Sequence, residues 1–385
     1  MGSLAGRIWL AGFLASCSYA LCRTPLLPLL ARDLGAGAPA LGLIVAASTI
    51  TGVLLKLPAG AWSDVAGRRP FLIAGGLVFA VMPFAYLGVA TLGALFALRF
   101  AHGSATAIFN PVVSASVSDI APPSRRATWL SVAATVQGMG QAIAPLIAGW
   151  LIAQGDYDVA FIVAGAIALA VPVIAATWPS APPRARADRW RQFRSGIGVV
   201  TRDRVILATS LAQAAQLAVG GSLTAFLPLY AMEVRGFNAV ETGALFSLHA
   251  VTGIVMRPIA GSAADRFGRR PMIAGGLLAC SAALALVPAA SEWRGLAAIV
   301  VASAGAIALT TAGTSALITD RSRQSQYGAA HGTFGTIYDI GDAMGPIGAG
   351  VLVGAIGYSR MFEAAAGASL VAAAGFWAVA GRDRS

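Results

Sequence analysis

Charge is what this sequence has least of. Only 11% of its 385 residues are Asp, Glu, Lys or Arg, while 57% are hydrophobic; soluble domains carry roughly 25% charged residues. So few charges cannot clothe a water-soluble surface. Cysteine is scarce too: Cys17, Cys22 and Cys280 fall inside apolar stretches, with no CxxC and no Cys/His cluster. Neither a disulfide framework nor a zinc site is expected, and the three read as small buried apolar residues. His249 and His331, with Met256, show no metal-binding spacing. No GxSxG, HExxH or comparable set occurs, and no polar stretch is long enough for a soluble sensing domain, which speaks against a membrane-embedded enzyme or sensor. No cofactor is expected.

What the sequence has is apolar length. Stretches near 20 residues, the length that crosses a hydrocarbon core as a helix, are expected at about 8–30, 40–62, 71–90, 92–118, 127–152, 159–178, 205–231, 241–264, 272–290, 294–318, 329–354 and 361–380. Their Ala, Gly, Leu and Val content, without short alternation, predicts helices and not barrel strands. Gly and Ala also permit close helix packing. The first stretch is too long, with the wrong flanks, for a cleaved signal peptide. The predicted fold class is therefore an all-α membrane protein of twelve transmembrane helices.

The formal net charge of +11 raises the question of a nucleic-acid partner. Position answers it. Basic clusters fall on alternate loops: Arg68 and Arg69, Arg125 and Arg126, the run Arg184 to Arg204, Arg269 and Arg270, Arg321 and Arg323, and Arg382 with Arg384. Acids such as Asp156, Asp158, Glu233 and Glu292 occupy the loops between. By the positive-inside rule both termini are expected in the cytoplasm of a cell whose inner membrane holds the chain, and nucleic acid is not needed. The segment 179–204, with Pro182, Pro183 and many arginines, reads as a solvated basic linker between bundles at 1–178 and 205–385.

The two bundles repeat each other. Lys56-Leu-Pro-Ala-Gly-Ala-Trp-Ser-Asp-Val-Ala-Gly-Arg-Arg-Pro70 returns as Arg257-Pro-Ile-Ala-Gly-Ser-Ala-Ala-Asp-Arg-Phe-Gly-Arg-Arg-Pro271, placing Asp64 and Asp265 201 positions apart. Ile73-Ala-Gly-Gly-Leu77 and Ile273-Ala-Gly-Gly-Leu277 extend the likeness. Gly140 to Gly149 and Gly341 to Gly350, with Pro145 and Pro346, keep the same separation. Leu27-Pro-Leu-Leu-Ala31 and Leu227-Pro-Leu-Tyr-Ala231 match within one residue. Two parallel six-helix repeats follow, an architecture in which a solute site lies between halves that rock about it.

Gly60 to Arg69, and more closely Gly261 to Arg270, resemble the G-x-L-x-D-R-x-G-R-R signature of the major facilitator superfamily. Resemblance to that family, and to its drug/proton antiporter members, covers essentially the whole chain. It implies a conformational latch built from Asp64, Gly67, Arg68 and Arg69, repeated at Asp265, Gly268, Arg269 and Arg270. Val65 departs from the pattern and is expected to weaken the first copy. Arg99-Phe-Ala-His-Gly-Ser-Ala is similar to the family's R-x-x-Q-G-x-G motif with His102 replacing Gln, which implies a part for Arg99 in proton coupling; an interfacial snorkelling arginine is the plainer reading, and a structural hydrogen bond is the plainer one for His102. Gly138 to Gly149, with Gly140 and Pro145, resembles a weaker form of the span 5 antiporter motif, although Ala144 replaces a glycine. Packing and kinking account for Gly140, Pro145, Gly149, Gly345 and Pro346 without further function.

Charges deep in spans are the remaining candidates. Arg23, Lys56, Arg99, Arg257, Asp339 and Asp342 must line water or be paired. Asp339 and Asp342 are three apart, so both carboxylates lie on one helix face and are expected to raise each other's pKa, as a proton carrier near neutral pH requires; a structural salt bridge to Arg23, to Arg257 or to the cytoplasmic latch is the alternative. Gln137, Gln141, Tyr230 and Tyr338, with Gln213, Gln216 and Phe226, are candidates for a mixed polar and aromatic cavity. The expected activity is proton-coupled export of a small organic molecule by a monomer in contact with lipid. Uptake of a small anionic metabolite, motivated by the intramembrane cations, is the alternative.

Overall fold

The computed structural model describes residues 2–179, 197–198, 200–322 and 327–381. Most of the expected linker 179–204, together with Arg323, Arg382 and Arg384, lies outside them. Helix accounts for nearly all described residues, and no strand occurs among them. The first crossing consists of α1 (Gly2–Leu21) and α2 (Leu26–Asp33), separated by a turn that holds Arg23 and Pro25. Then follow α3 (Ala38–Ala66), α4 (Arg68–Ala85), α5 (Leu92–Ile120), α6 (Arg126–Ala153) and α7 (Tyr157–Ala176). After the linker come α8 (Arg204–Leu229), α9 (Ala239–Phe267), α10 (Arg269–Leu286), α11 (Trp293–Arg321) and α12 (Tyr327–Ala380).

Helix starts carry side chains that satisfy free amides. Thr91 accepts from the Ala94 N–H at 3.2 Å, and Asp203 accepts from Val205 at 2.8 Å and Ile206 at 3.2 Å. Asn238 and Glu241 form a reciprocal capping box at 2.8 and 2.9 Å. The expected loop at Gly60–Arg69 is instead helix: α3 continues through Asp64 to Ala66, and one residue, Gly67 at φ 90°, joins it to α4. Gly268, at φ 92°, does the same between α9 and α10. Only glycine adopts that backbone without strain.

Eleven runs among the described residues are long and apolar enough to cross a membrane. The last spans 51 residues, about 76 Å of helix where a bilayer core needs about 30 Å. It breaks at Gly357, φ 81° and ψ 171°. That turn divides α12 into two crossings, twelve in all.

Packing divides the chain into two compact units. One takes Met1–Ala36, Ala47–Ala187 and Gly236–Ala250; the other takes Gly37–Ala46, Asp188–Arg235 and Val251–Ser385. Ile8, Leu72, Phe79, Phe109 and Val112 lie in the core of the first, and Val205, Ile273, Leu277, Leu317 and Phe376 in that of the second. The first turns of α3 and of α9 thus fall in different units from the rest of those helices. Glycine makes both contacts possible: a Cβ on Gly42 would sit 2.1 Å from the Pro346 carbonyl, and one on Gly243 would sit 2.3 Å from that of Pro145.

The repeat is visible in the elements. α3 and α9 have 29 residues each, α4 and α10 have 18, and α5 and α11 have 29, all in a register of 201. The Ile-Ala-Gly-Gly-Leu pairing is one residue out of that register. Gly75 packs on Phe109 and Gly276 on Thr310, so Gly75 and Gly276 are the equivalent glycines. Small-residue content, not position, produced the apparent match.

Candidate functional site

At the α3–α4 junction Arg68 folds back one turn to pair with Asp64, bonds the Ser63 hydroxyl at 2.9 Å, and reaches Asp119 at the end of α5, 3.3 Å away. The second unit repeats the arrangement: Arg269 pairs with Asp265 at 2.5 Å and with Asp320 at 3.1 Å. Each triad closes inside its own unit and ties three helix ends together. Asp119 and Asp320 are absent from the sequence reading, yet they stand 201 apart like the other members, and that register was the signal that would have found them. Arg266, the residue that Val65 replaces in the first copy, lies over the Phe267 ring at 5.3 Å.

Arg99, on α5, is wholly buried in the first unit. Its Nη2 donates to the Tyr19 hydroxyl at 3.2 Å, and its guanidinium lies 4.9 Å from the centre of the Tyr19 ring. Nε and Nη1 have no hydrogen-bond partner, and no carboxylate among the described residues lies within ion-pair distance. One turn along α5, buried His102 shares a 3.3 Å hydrogen bond between Nδ1 and the Tyr86 hydroxyl, while its Nε2 is unpartnered. Tyr19 meets the His102 ring edge-on at 5.0 Å, and Tyr86 stacks on Phe161 at 4.7 Å. The Tyr86 hydroxyl also lies beside the guanidinium, within hydrogen-bonding range of it, and Cys22 lies within its electrostatic reach. The snorkelling reading of Arg99 does not hold, because a fully buried head group is not at an interface.

Asp339 and Asp342 are both half-buried, one turn apart on α12 and beside Tyr338. Tyr338 packs against Phe334 at 5.2 Å, and His331 bonds Thr319 at 2.9 Å through Nε2. Other candidates scatter. Lys56 is half-buried on α3, Arg257 is exposed on α9, and Arg23 is half-buried with a buried, unpartnered Nε. Gln137 packs over Gly12, and Gln141 is exposed.

Tyr230 is corrected from cavity to core. It is fully buried, donates to the Val287 carbonyl at 3.3 Å, and packs on Phe362 at 5.2 Å. Phe226 is buried as well. Gln213 and Gln216 are also interior: Thr314 donates to Gln213 at 2.6 Å, and Gln216 donates to the Cys280 sulfur at 3.4 Å. Gly140, Gly341 and Gly345 stand at helix crossings with no room for a Cβ, which would lie 2.7, 2.2 and 2.0 Å from the carbonyls of Phe13, Ala214 and Ala218.

Two copies of the junction triad stand in the register that repeats the helices. The profile of the Major Facilitator Superfamily matches residues 8–262 and 239–385. The chain belongs to the major facilitator superfamily. An uncharacterised MFS-type transporter of Methanocaldococcus jannaschii is 21% identical over 374 residues, covering 94% of this chain and 95% of its own. Multidrug resistance protein 1 of Bacillus subtilis is 30% identical over 150 residues, which are 39% of this chain and 38% of that one. Among solved structures, a bacterial homologue of the human lysosomal transporter Spinster superposes with a TM-score of 0.85 at 16% identity, over 98% of this chain and 96% of that one. At that identity the likeness is one of fold. This superfamily member is a multi-pass membrane transporter.

Proposed function

We propose that the transporter is a proton-coupled exporter of a small organic molecule, working as a monomer by alternating access, with Asp339 and Asp342 as the proton-carrying pair. The observation that carries this reading is the placement of those two acids: half-buried, three apart on the part of α12 before Gly357, beside Tyr338. An intramembrane carboxylate is costly unless it lines water or finds a partner, so its presence in a span is a functional-site hypothesis by default. The name of the partial Bacillus relative supports export of drug-like compounds. Arg99 modulates the cycle from the other unit.

Purified protein in proteoliposomes loaded with a pH dye tests this. Under an imposed proton gradient, proton flux opposite to the movement of a lipophilic cation is expected. Replacing both acids by Asn should remove the pH-driven component while leaving the protein folded. If the double variant transports like the wild type, the acids are not the carriers; flux with organic acids alone would favour uptake of an anionic metabolite.

A further inference from the structure

The two repeats act as each other's control. Packing demands shared by both units should be met by similar residues at equivalent positions, and a chemical group present in one alone answers to something else. The register places Val300 where Arg99 stands, Ser303 where His102 stands and Val287 where Tyr86 stands. Val300 is as buried as Arg99, and the Ser303 hydroxyl is satisfied within its own helix, donating to the Val300 carbonyl at 2.8 Å. Near the counterpart of Tyr19 the second unit has Val219 and Gly220. The scaffold therefore packs this position without any ionised group.

In the first unit the same position holds a cation whose Nε and Nη1 are unpartnered and an imidazole with an unpartnered Nε2. Three unsatisfied polar atoms at one uncompensated charge form an incomplete set. Buried cations without an anion are strongly disfavoured, and guanidinium and imidazole are together donors fitted to a carboxylate. We propose that this cluster binds the carboxylate of a small organic acid, with Tyr19 as its cover. Tyr19 is the only half-exposed member; its ring lies over the guanidinium and its hydroxyl occupies Nη2. A carboxylate displaces that hydroxyl and takes the fork of Arg99. The proposal rests on the transport reading only in placing the cluster inside a transporter, and it does not require the acid to be the exported solute.

Thermal unfolding of the purified full-length protein tests it, using acetate, benzoate and succinate, each against its neutral amide, and chloride at matched ionic strength. At least one carboxylate should raise the unfolding temperature by about 2–5 °C, saturably, and its amide should not. Arg99→Met should unfold at a higher temperature than wild type without ligand and lose the response, whereas Arg99→Lys keeps a weakened one. Tyr19→Phe, which removes the competing hydroxyl, should bind about threefold to tenfold more tightly. A merely structural arginine predicts the reverse for Arg99→Met and no gain for Tyr19→Phe. The proposal is overturned if no carboxylate outperforms its amide, if the response survives Arg99→Met, or if chloride matches the carboxylates. Binding here without any flux in proteoliposomes would sink the transport reading and leave the site; flux of lipophilic cations with no Arg99-dependent response would do the opposite.

Discussion

Arg68 and Arg269 make the same two ion pairs at very different depths, and Arg68 alone adds a hydrogen bond to a serine, Ser63, where the other copy has Ala264. The Arg68 side chain is 10% exposed, against 13% and 27% for its acids; Arg269 is 26% exposed, and its acids are 72% and 53%. Breaking a buried charge set strands its partners, at about 3 kcal/mol or more, while an exposed set contributes about 0–1 kcal/mol. Arg68→Gln is therefore expected to lower the unfolding temperature in detergent by about 5 °C or more, and Arg269→Gln to leave it nearly unchanged. Equal losses would mean that burial is not what separates the copies. Asp64, Arg68 and their repeats were legible in the sequence because the motif recurs. Tyr19 and Tyr86 were not: each is an ordinary aromatic until helix rotation sets it beside Arg99 or His102, and spacing along one helix does not encode rotation against another.

Helix limits followed apolar length closely, and the expected break between 354 and 361 is where Gly357 turns the chain. The miss at residue 62 has a plain cause. Polarity marks where a helix leaves lipid, not where it ends, and α3 continues a further turn to present Asp64. Close packing is the other limit of sequence reading, since glycines look alike until a neighbour's carbonyl is placed. Gly345 and Gly348 are three apart on α12; a Cβ on the first would lie 2.0 Å from the Ala218 carbonyl, and one on the second meets nothing within 4 Å. Gly345→Val should prevent accumulation of monodisperse protein, whereas Gly348→Val should behave as wild type in size-exclusion chromatography of a fluorescent fusion.

Across the whole molecule, the alternation of basic and acidic loops and the count of crossings must agree. Twelve crossings, with the turn at Gly357, bring both termini to one side; a single long last helix would bring them to opposite sides. By the positive-inside rule the arginine-rich loops make the cytoplasm the expected side, and we propose that orientation. Green fluorescent protein fused after the last residue should fluoresce, and alkaline phosphatase fused after Gly236 should be active. Fluorescence lost at the C-terminus would remove one crossing and contradict the turn. The parallel repeat was readable because its register survives without gaps over most of its length. What the repeat does not share, the Arg99 cluster in one unit and the Gln213 network in the other, was readable only once both copies were folded.

Gly67 and Gly268 each join two long helices through one residue, and a joint of one residue has only two soft torsions. Both neighbours are clamped, since the arginine after each glycine is held by the acid before it and by a third helix. Such a junction transmits torque and stores no slack. Whatever displaces α3 displaces α4 by the same rotation, as a bent lever turns about one pivot, so spin labels placed on the two helices should keep their separation through the transport cycle.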